Sequence, residues 1–71
     1  MGVPKHDFNF VEGRFMLDLP NHVRLQIFPL DSGAFKWEYR FRGGLMFCGV
    51  QPKLALAKEK ALFIFYGDDY Q

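Results

Sequence analysis

The amino-acid sequence predicts an α+β fold of two layers, a three- to four-stranded antiparallel β-meander with one C-terminal helix packed on its aromatic face. Aromatic and charged residues alternate without a break over positions 35–42, as a half-buried strand requires. Turn-forming residues on either side of that run set the neighbouring runs so that apolar positions fall opposite one another. After position 52 the alternation gives way to a run rich in Ala, Leu, Lys and Glu, which are good helix formers. The 71 residues suffice for one domain, residues 1–71, with an N-terminal segment at 1–13, the sheet at 14–50, the helix at 52–66 and a tail at 67–71.

The strands are justified in chain order. A loop at Pro20-Asn21-His22 sets Leu19 against Val23, Leu17 against Leu25 and Phe15 against Ile27, and it brings Asp18 beside Arg24. A three-residue loop at Asp31-Ser32-Gly33, with glycine in the left-handed position, sets Ile27 against Trp37, Leu25 against Tyr39 and Val23 against Phe41. The alternating run Phe35-Lys36-Trp37-Glu38-Tyr39-Arg40-Phe41-Arg42 follows. Gly43-Gly44 then reads as a two-residue hairpin turn, which places Arg42 opposite Leu45, Phe41 opposite Met46, Tyr39 opposite Cys48 and Trp37 opposite Val50. Met46, Cys48 and Val50 thereby join the aromatic face. A slip of one residue in any of these pairings would move every apolar side chain to the other face.

The helix is bounded by Pro52, which suits a first turn, and by Gly67, which suits a C-terminal stop. Leu54, Ala57, Ala61 and Phe65, with Ile64 beside them, form the stripe that lies across the sheet, while Lys53, Glu59 and Lys60 remain in water. Leu62, Phe63 and Tyr66 widen the apolar surface towards Phe8-Asn9-Phe10 or towards a partner.

Composition narrows the function classes. With 49% hydrophobic and 18% aromatic residues the chain lies far from the signature of disorder, and nine Phe, three Tyr and one Trp can build the dense core that so small a domain needs. Cys48 is alone, which excludes an intramolecular disulfide. The first residues carry no apolar run of the signal-peptide kind, and no stretch of about 18 apolar residues occurs, so the sequence predicts a soluble, cytoplasmic protein without a membrane partner. Two histidines and one cysteine assemble no catalytic constellation. Cys48 is expected beside Tyr39 as an apolar filler, and His6 and His22 belong to no CxxC, HxxxH or HxH pattern. Asp68-Asp69 reads as a solvated tail, and Gly43-Gly44 lacks the Lys-Ser/Thr that completes a phosphate loop. The expectation is a binding module with no enzymatic activity, no metal and no cofactor.

The charge pattern points to the surface that binds. The net charge of +1 conceals −1 over residues 1–19, +4 over 20–60 and −2 over 61–71. The same registers place Arg24, Gln26, Phe28, Lys36, Glu38, Arg40, Arg42, Leu45 and Phe47 on the face away from the helix. Arg24 faces Arg40, a repulsion that Asp18 and Glu38 relieve in part. Arg24, Lys36, Arg40 and Arg42, interleaved with Phe28 and Phe47, are the candidate contacts to a nucleic acid, cations for phosphates and rings for bases. The alternative is that Phe8 and Phe10 fold over Phe28 and Phe47 and leave the charges merely solvated.

This layout resembles the N-terminal arm-type DNA-binding domain of phage tyrosine-recombinase integrases. The likeness runs over residues 18–65 and is carried by Asp18-Leu19-Pro20, by Trp37-Glu38-Tyr39-Arg40-Phe41-Arg42 with the Gly43-Gly44 turn, and by Leu56-Ala57-Lys58-Glu59-Lys60-Ala61. In that family the sheet enters the DNA major groove, and the resemblance implies base or phosphate contacts from Lys36, Arg40 and Arg42. The resulting expectation is a small phage- or plasmid-type module that binds nucleic acid, DNA by preference. The alternative is a protein-interaction or inhibitor module acting on a host protein, and an exposed edge strand leaves homodimerisation open as well.

Overall fold

The computed structural model describes residues 7–67; His6 and the Asp68-Asp69 pair lie outside the described residues. The elements run β1 (Asn9–Val11), β2 (Arg14–Leu19), β3 (Val23–Pro29), β4 (Phe35–Phe41), β5 (Gly44–Gln51) and α1 (Leu54–Tyr66). The strands form one antiparallel sheet in the order β1-β2-β3-β4-β5, so the expected meander has five strands rather than three or four. The added strand is β1. It pairs Phe10 with Phe15 and Val11 with Arg14 across a tight turn in which Glu12 and Gly13 both take positive φ, 51° and 81°, the signature of a type I′ hairpin.

The next two pairings stand as the sequence predicts. Leu19 meets Val23, Leu17 meets Leu25 and Phe15 meets Ile27. Val23 meets Phe41, Leu25 meets Tyr39 and Ile27 meets Trp37. Between β3 and β4 the Leu30 N–H donates to Ala34 O and the Gly33 N–H donates to Leu30 O, which closes the Asp31-Ser32-Gly33 loop with Gly33 at a φ of 94°.

The β4–β5 pairing corrects the expectation. Phe41 pairs with Gly44, so the turn residues are Arg42 and Gly43, at φ values of 53° and 82°, rather than Gly43-Gly44. A non-glycine residue in this region costs about 1 kcal/mol. Three interactions hold it here: the Arg42 N–H donates to His22 O at 2.9 Å, Arg40 Nη1 donates to Gly43 O at 3.3 Å, and the Arg42 guanidinium lies 5.3 Å from the centre of the Phe41 ring. The register then shifts between Tyr39 and Arg40, leaving Met46 without a cross-strand partner. Beyond this bulge Tyr39 meets Phe47, Glu38 meets Cys48, Trp37 meets Gly49 and Lys36 meets Val50. Cys48 and Val50 therefore fall on the face away from the helix and Phe47 on the helix side, the reverse of the expected arrangement. The physical reason is the Trp37 indole. A Cβ on residue 49 would stand 2.7 Å from Cζ2 and Nε1 of that ring, so only glycine fits beneath it, and the expected partner Val50 would collide.

The helix begins at Leu54, two residues later than expected, with Lys53 as its N-cap and the Ala57 N–H bonded to Lys53 O. It ends as the Gly67 N–H reaches Phe63 O. Ala57, Ala61 and Leu62 are its buried residues, and their small size at two of three positions lets the helix approach the sheet closely. Leu62 belongs to the buried stripe, and Ile64 packs at its margin. Leu19, Val23, Leu25, Ile27 and Trp37 supply the sheet side of the core. Leu25 and Ile27 are wholly buried, each contributing about 1.5–3 kcal/mol of hydrophobic stabilisation. Among the described residues no helix is long and apolar enough to cross a membrane.

Candidate nucleic-acid interface

Strand alternation sends every second side chain of the sheet away from the helix. Cross-strand pairing orders these into rows. The central row runs Asn9, Met16, Gln26, Glu38 and Cys48; Asp18, Arg24, Arg40 and Leu45 form the next. On the other side of the centre, Phe28 pairs with Lys36 and Lys36 with Val50, and Arg14 stands beside Val11. No other described element covers this face. Phe8 and Phe10, which the alternative reading laid over it, lie on the helix side: Phe8 packs at the margin of the core, the Phe10 ring meets Phe15 edge-on at 4.8 Å, and Lys58 Nζ sits over Phe8 and Phe15 at 5.5 and 5.6 Å.

The floor of this face is polar and nearly closed. Gln26 is 9% and Glu38 6% exposed, and a buried carboxylate is tolerable only when paired. Arg40 Nε donates to Glu38 Oε1 at 2.9 Å, and Lys36 Nζ lies 3.6 Å from Glu38 Oε2. Arg14 Nε donates to Gln26 Oε1 at 2.6 Å, and its Nη1 lies 3.5 Å from Glu12. Arg24 grips Asp18 with two bonds, Nε to Oδ1 at 2.6 Å and Nη2 to Oδ2 at 3.3 Å. The Asp18 hydrogen bond, and then its charge, raise the Arg24 pKa above its ordinary value. These pairs also explain how Arg24 and Arg40 stand directly opposite each other, since each is held by its own carboxylate.

The anchoring of Glu38 yields an expected result. Arg40→Ala leaves this carboxylate with Lys36 alone and lowers the unfolding free energy by about 1–3 kcal/mol, less than loss of a wholly enclosed pair because Arg40 is a third exposed. Urea denaturation of the variant measures it.

Above the floor lies an open depression of about 630 Å³ lined by Arg14, Arg24, Arg40 and Arg42 together with His22, Gln26, Phe28 and Glu38. Of the six residues expected to bind, Arg24, Arg40, Arg42 and Phe28 meet in this depression, and Lys36 lies on the same face beside Phe28 and Glu38. Phe47 does not. It faces the helix side, edge-on to Tyr39 at 5.8 Å. Arg14 is the residue that sequence reasoning missed. The register that sent Phe15, Leu17 and Leu19 into the core also sent Arg14, Met16 and Asp18 out of it, so carrying that alternation back one position would have found it.

Cys48 is exposed and pairs across the strands with Glu38, which overturns its expected place in the core beside Tyr39. Among the described residues no three His, Cys, Asp or Glu side chains come together as a metal site would require. Compared with known protein families, curated proteins and solved structures, the chain matches none.

Proposed function

We propose that the chain is a non-catalytic module that binds nucleic acid, DNA by preference, through the open face of its sheet. The observation that carries this reading is the convergence of four arginines on one depression whose lining, among the described residues, contains a single carboxylate, that of Glu38. A guanidinium engaged by one acid keeps further N–H donors, and its planar fork suits phosphate oxygens. Arg42 adds a cation at the rim that has no acidic partner among the described residues. The correction at Phe47 favours nucleic acid over a protein partner on this face, because it removes one of two expected aromatic anchors and leaves mainly charge. The β3–β4 pair carries Arg24, Lys36 and Arg40 at the middle of the sheet face.

Salt dependence tests the reading. If each of the four arginines meets one phosphate, the affinity for duplex DNA falls with a log–log slope of about −3.6, roughly 150-fold between about 50 and 200 mM salt. Fluorescence anisotropy with a labelled duplex measures this. Absence of binding at low salt, or binding indifferent to salt, overturns the reading.

A further inference from the structure

Exposed apolar side chains concentrate not in the arginine depression but along β5, on both of its faces, and on the adjoining flank of α1. Of the ten large hydrophobic residues exposed among the described residues, six lie here: Leu45, Met46, Phe47, Val50, Leu56 and Phe63. β5 is eight residues long, pairs on one side only and contains no charged residue. Natural proteins usually blunt such an edge with charges, proline or brevity. The opposite edge, β1, meets that rule, having three residues. β5 breaks it.

We infer that a second copy of this chain covers the edge, with β5 pairing antiparallel to β5 about a two-fold axis perpendicular to the sheet. Two independent features select a second copy over an unrelated strand. In isologous antiparallel pairing every residue also meets its own symmetry-related set, so a charge near the axis would face a like charge; β5 has none to repel. The same axis sets the two α1 helices antiparallel on one side of the seam, and the flank of α1 beside β5 is then complementary to itself. Leu56, Glu59, Lys60 and Phe63 line a cleft of about 350 Å³ with Gln51 of β5. Reversed about its midpoint, this stripe brings Leu56 towards Phe63 and Glu59 towards Lys60. Among the described residues neither Glu59 nor Lys60 forms an ion pair within the chain.

The extent is adequate. An eight-residue strand runs about 27 Å, and a strip of that length spanning sheet and helix approaches the lower end of the roughly 1,200–2,000 Å² that stable interfaces bury. This pairing is independent of nucleic-acid binding, because the arginine depression lies on the face of the sheet rather than at the β5 edge.

Analytical ultracentrifugation of the full chain tests the inference. The wild-type protein is expected to sediment at twice the 8.3 kDa chain mass. With the axis midway along β5, Val50 faces Leu45 of the second copy, so Val50→Lys sets a charge against an apolar side chain at a residue that is 56% exposed and outside the core, and it should weaken dimerisation roughly tenfold or more with an unchanged circular dichroism spectrum. Val11→Lys at the opposite edge should remain dimeric. Glu59→Lys alone should weaken the dimer, and Glu59→Lys with Lys60→Glu should restore it, since the swap preserves complementarity. A monomeric wild-type protein, dissociation by Val11→Lys but not by Val50→Lys, or failure of the double swap to restore the dimer that the single change weakened would overturn it.

Discussion

Gly49→Ala is expected to lower the unfolding free energy by about 1–3 kcal/mol, although alanine is ordinarily the better residue in a strand interior. The added methyl would stand 2.7 Å from the Trp37 indole, and that ring is 5% exposed, walled in by the core and unable to withdraw. Removing the ring itself, by Trp37→Ala, costs more, about 3–5 kcal/mol, because a large cavity opens under α1. The two changes are expected to be coupled with a reversal of sign. In the Trp37→Ala background Gly49→Ala becomes neutral or stabilises by about 0.5–1 kcal/mol, since the clash is gone and the entropic cost of glycine remains. A double-mutant cycle by urea denaturation measures this. Additive effects would show that Trp37 does not lie over Gly49, and the β4–β5 register would fall with it. The fit comes at some cost even in the native protein, as the buried Trp37 Nε1 has no hydrogen-bond partner among the described residues.

Arg24→Gln combined with Arg42→Glu is expected to weaken duplex DNA binding about 10–100-fold at low salt and to make the salt slope shallower by about 1.8, because each of the two positions ceases to neutralise one phosphate. These two arginines are better targets than Arg40, whose removal would unseat Glu38 and confound binding with stability. Arg42→Glu repeats at the β4–β5 turn the residue pair that already forms the β1–β2 turn, Glu12-Gly13, with nearly the same φ values. Arg24→Gln frees an exposed aspartate from a surface pair, a change of little consequence for stability. Unchanged thermal unfolding with weakened binding is the expected pattern. Equal retention of duplex by variant and wild type would contradict the assignment of this face.

The α+β class and the β2–β3 and β3–β4 registers were legible in the sequence because the information is redundant there. The loops have defined lengths, and one face of each strand is clearly apolar, so a slip of one residue would expose Val23, Leu25 and Ile27 together. β5 was not legible by the same route. Leu45-Met46-Phe47-Cys48 is apolar on both faces, so alternation cannot choose a register, and the turn glycines admit more than one closure. The informative residue was Gly49, since a glycine inside a strand marks close approach by a neighbour, and the bulky neighbour on β4 is Trp37. β1 escaped notice because three residues carry almost no periodicity. Its signal was Glu12-Gly13, flanked by Phe10-Val11 and Arg14-Phe15.

The two proposals are geometrically compatible. A two-fold axis perpendicular to the sheet keeps both helices on one side and therefore turns both arginine depressions to the other. A dimer would turn two arginine depressions to one side, separated by the Leu45, Cys48 and Val50 side chains of the paired β5 strands, and the salt slope would approach twice the single-chain value for a duplex long enough to reach both.

The proposed binding depends most on the division of the sheet into a helix-covered face and an arginine-bearing face open to a ligand. Titration of the isotopically labelled protein with duplex DNA, followed by NMR of backbone amides and arginine Nε–Hε groups, tests that division directly. Shifts are expected at Arg14, Arg24, Gln26, Arg40 and Arg42, with residues 54–66 unmoved. Shifts confined to α1, or spread evenly over both faces, would contradict it.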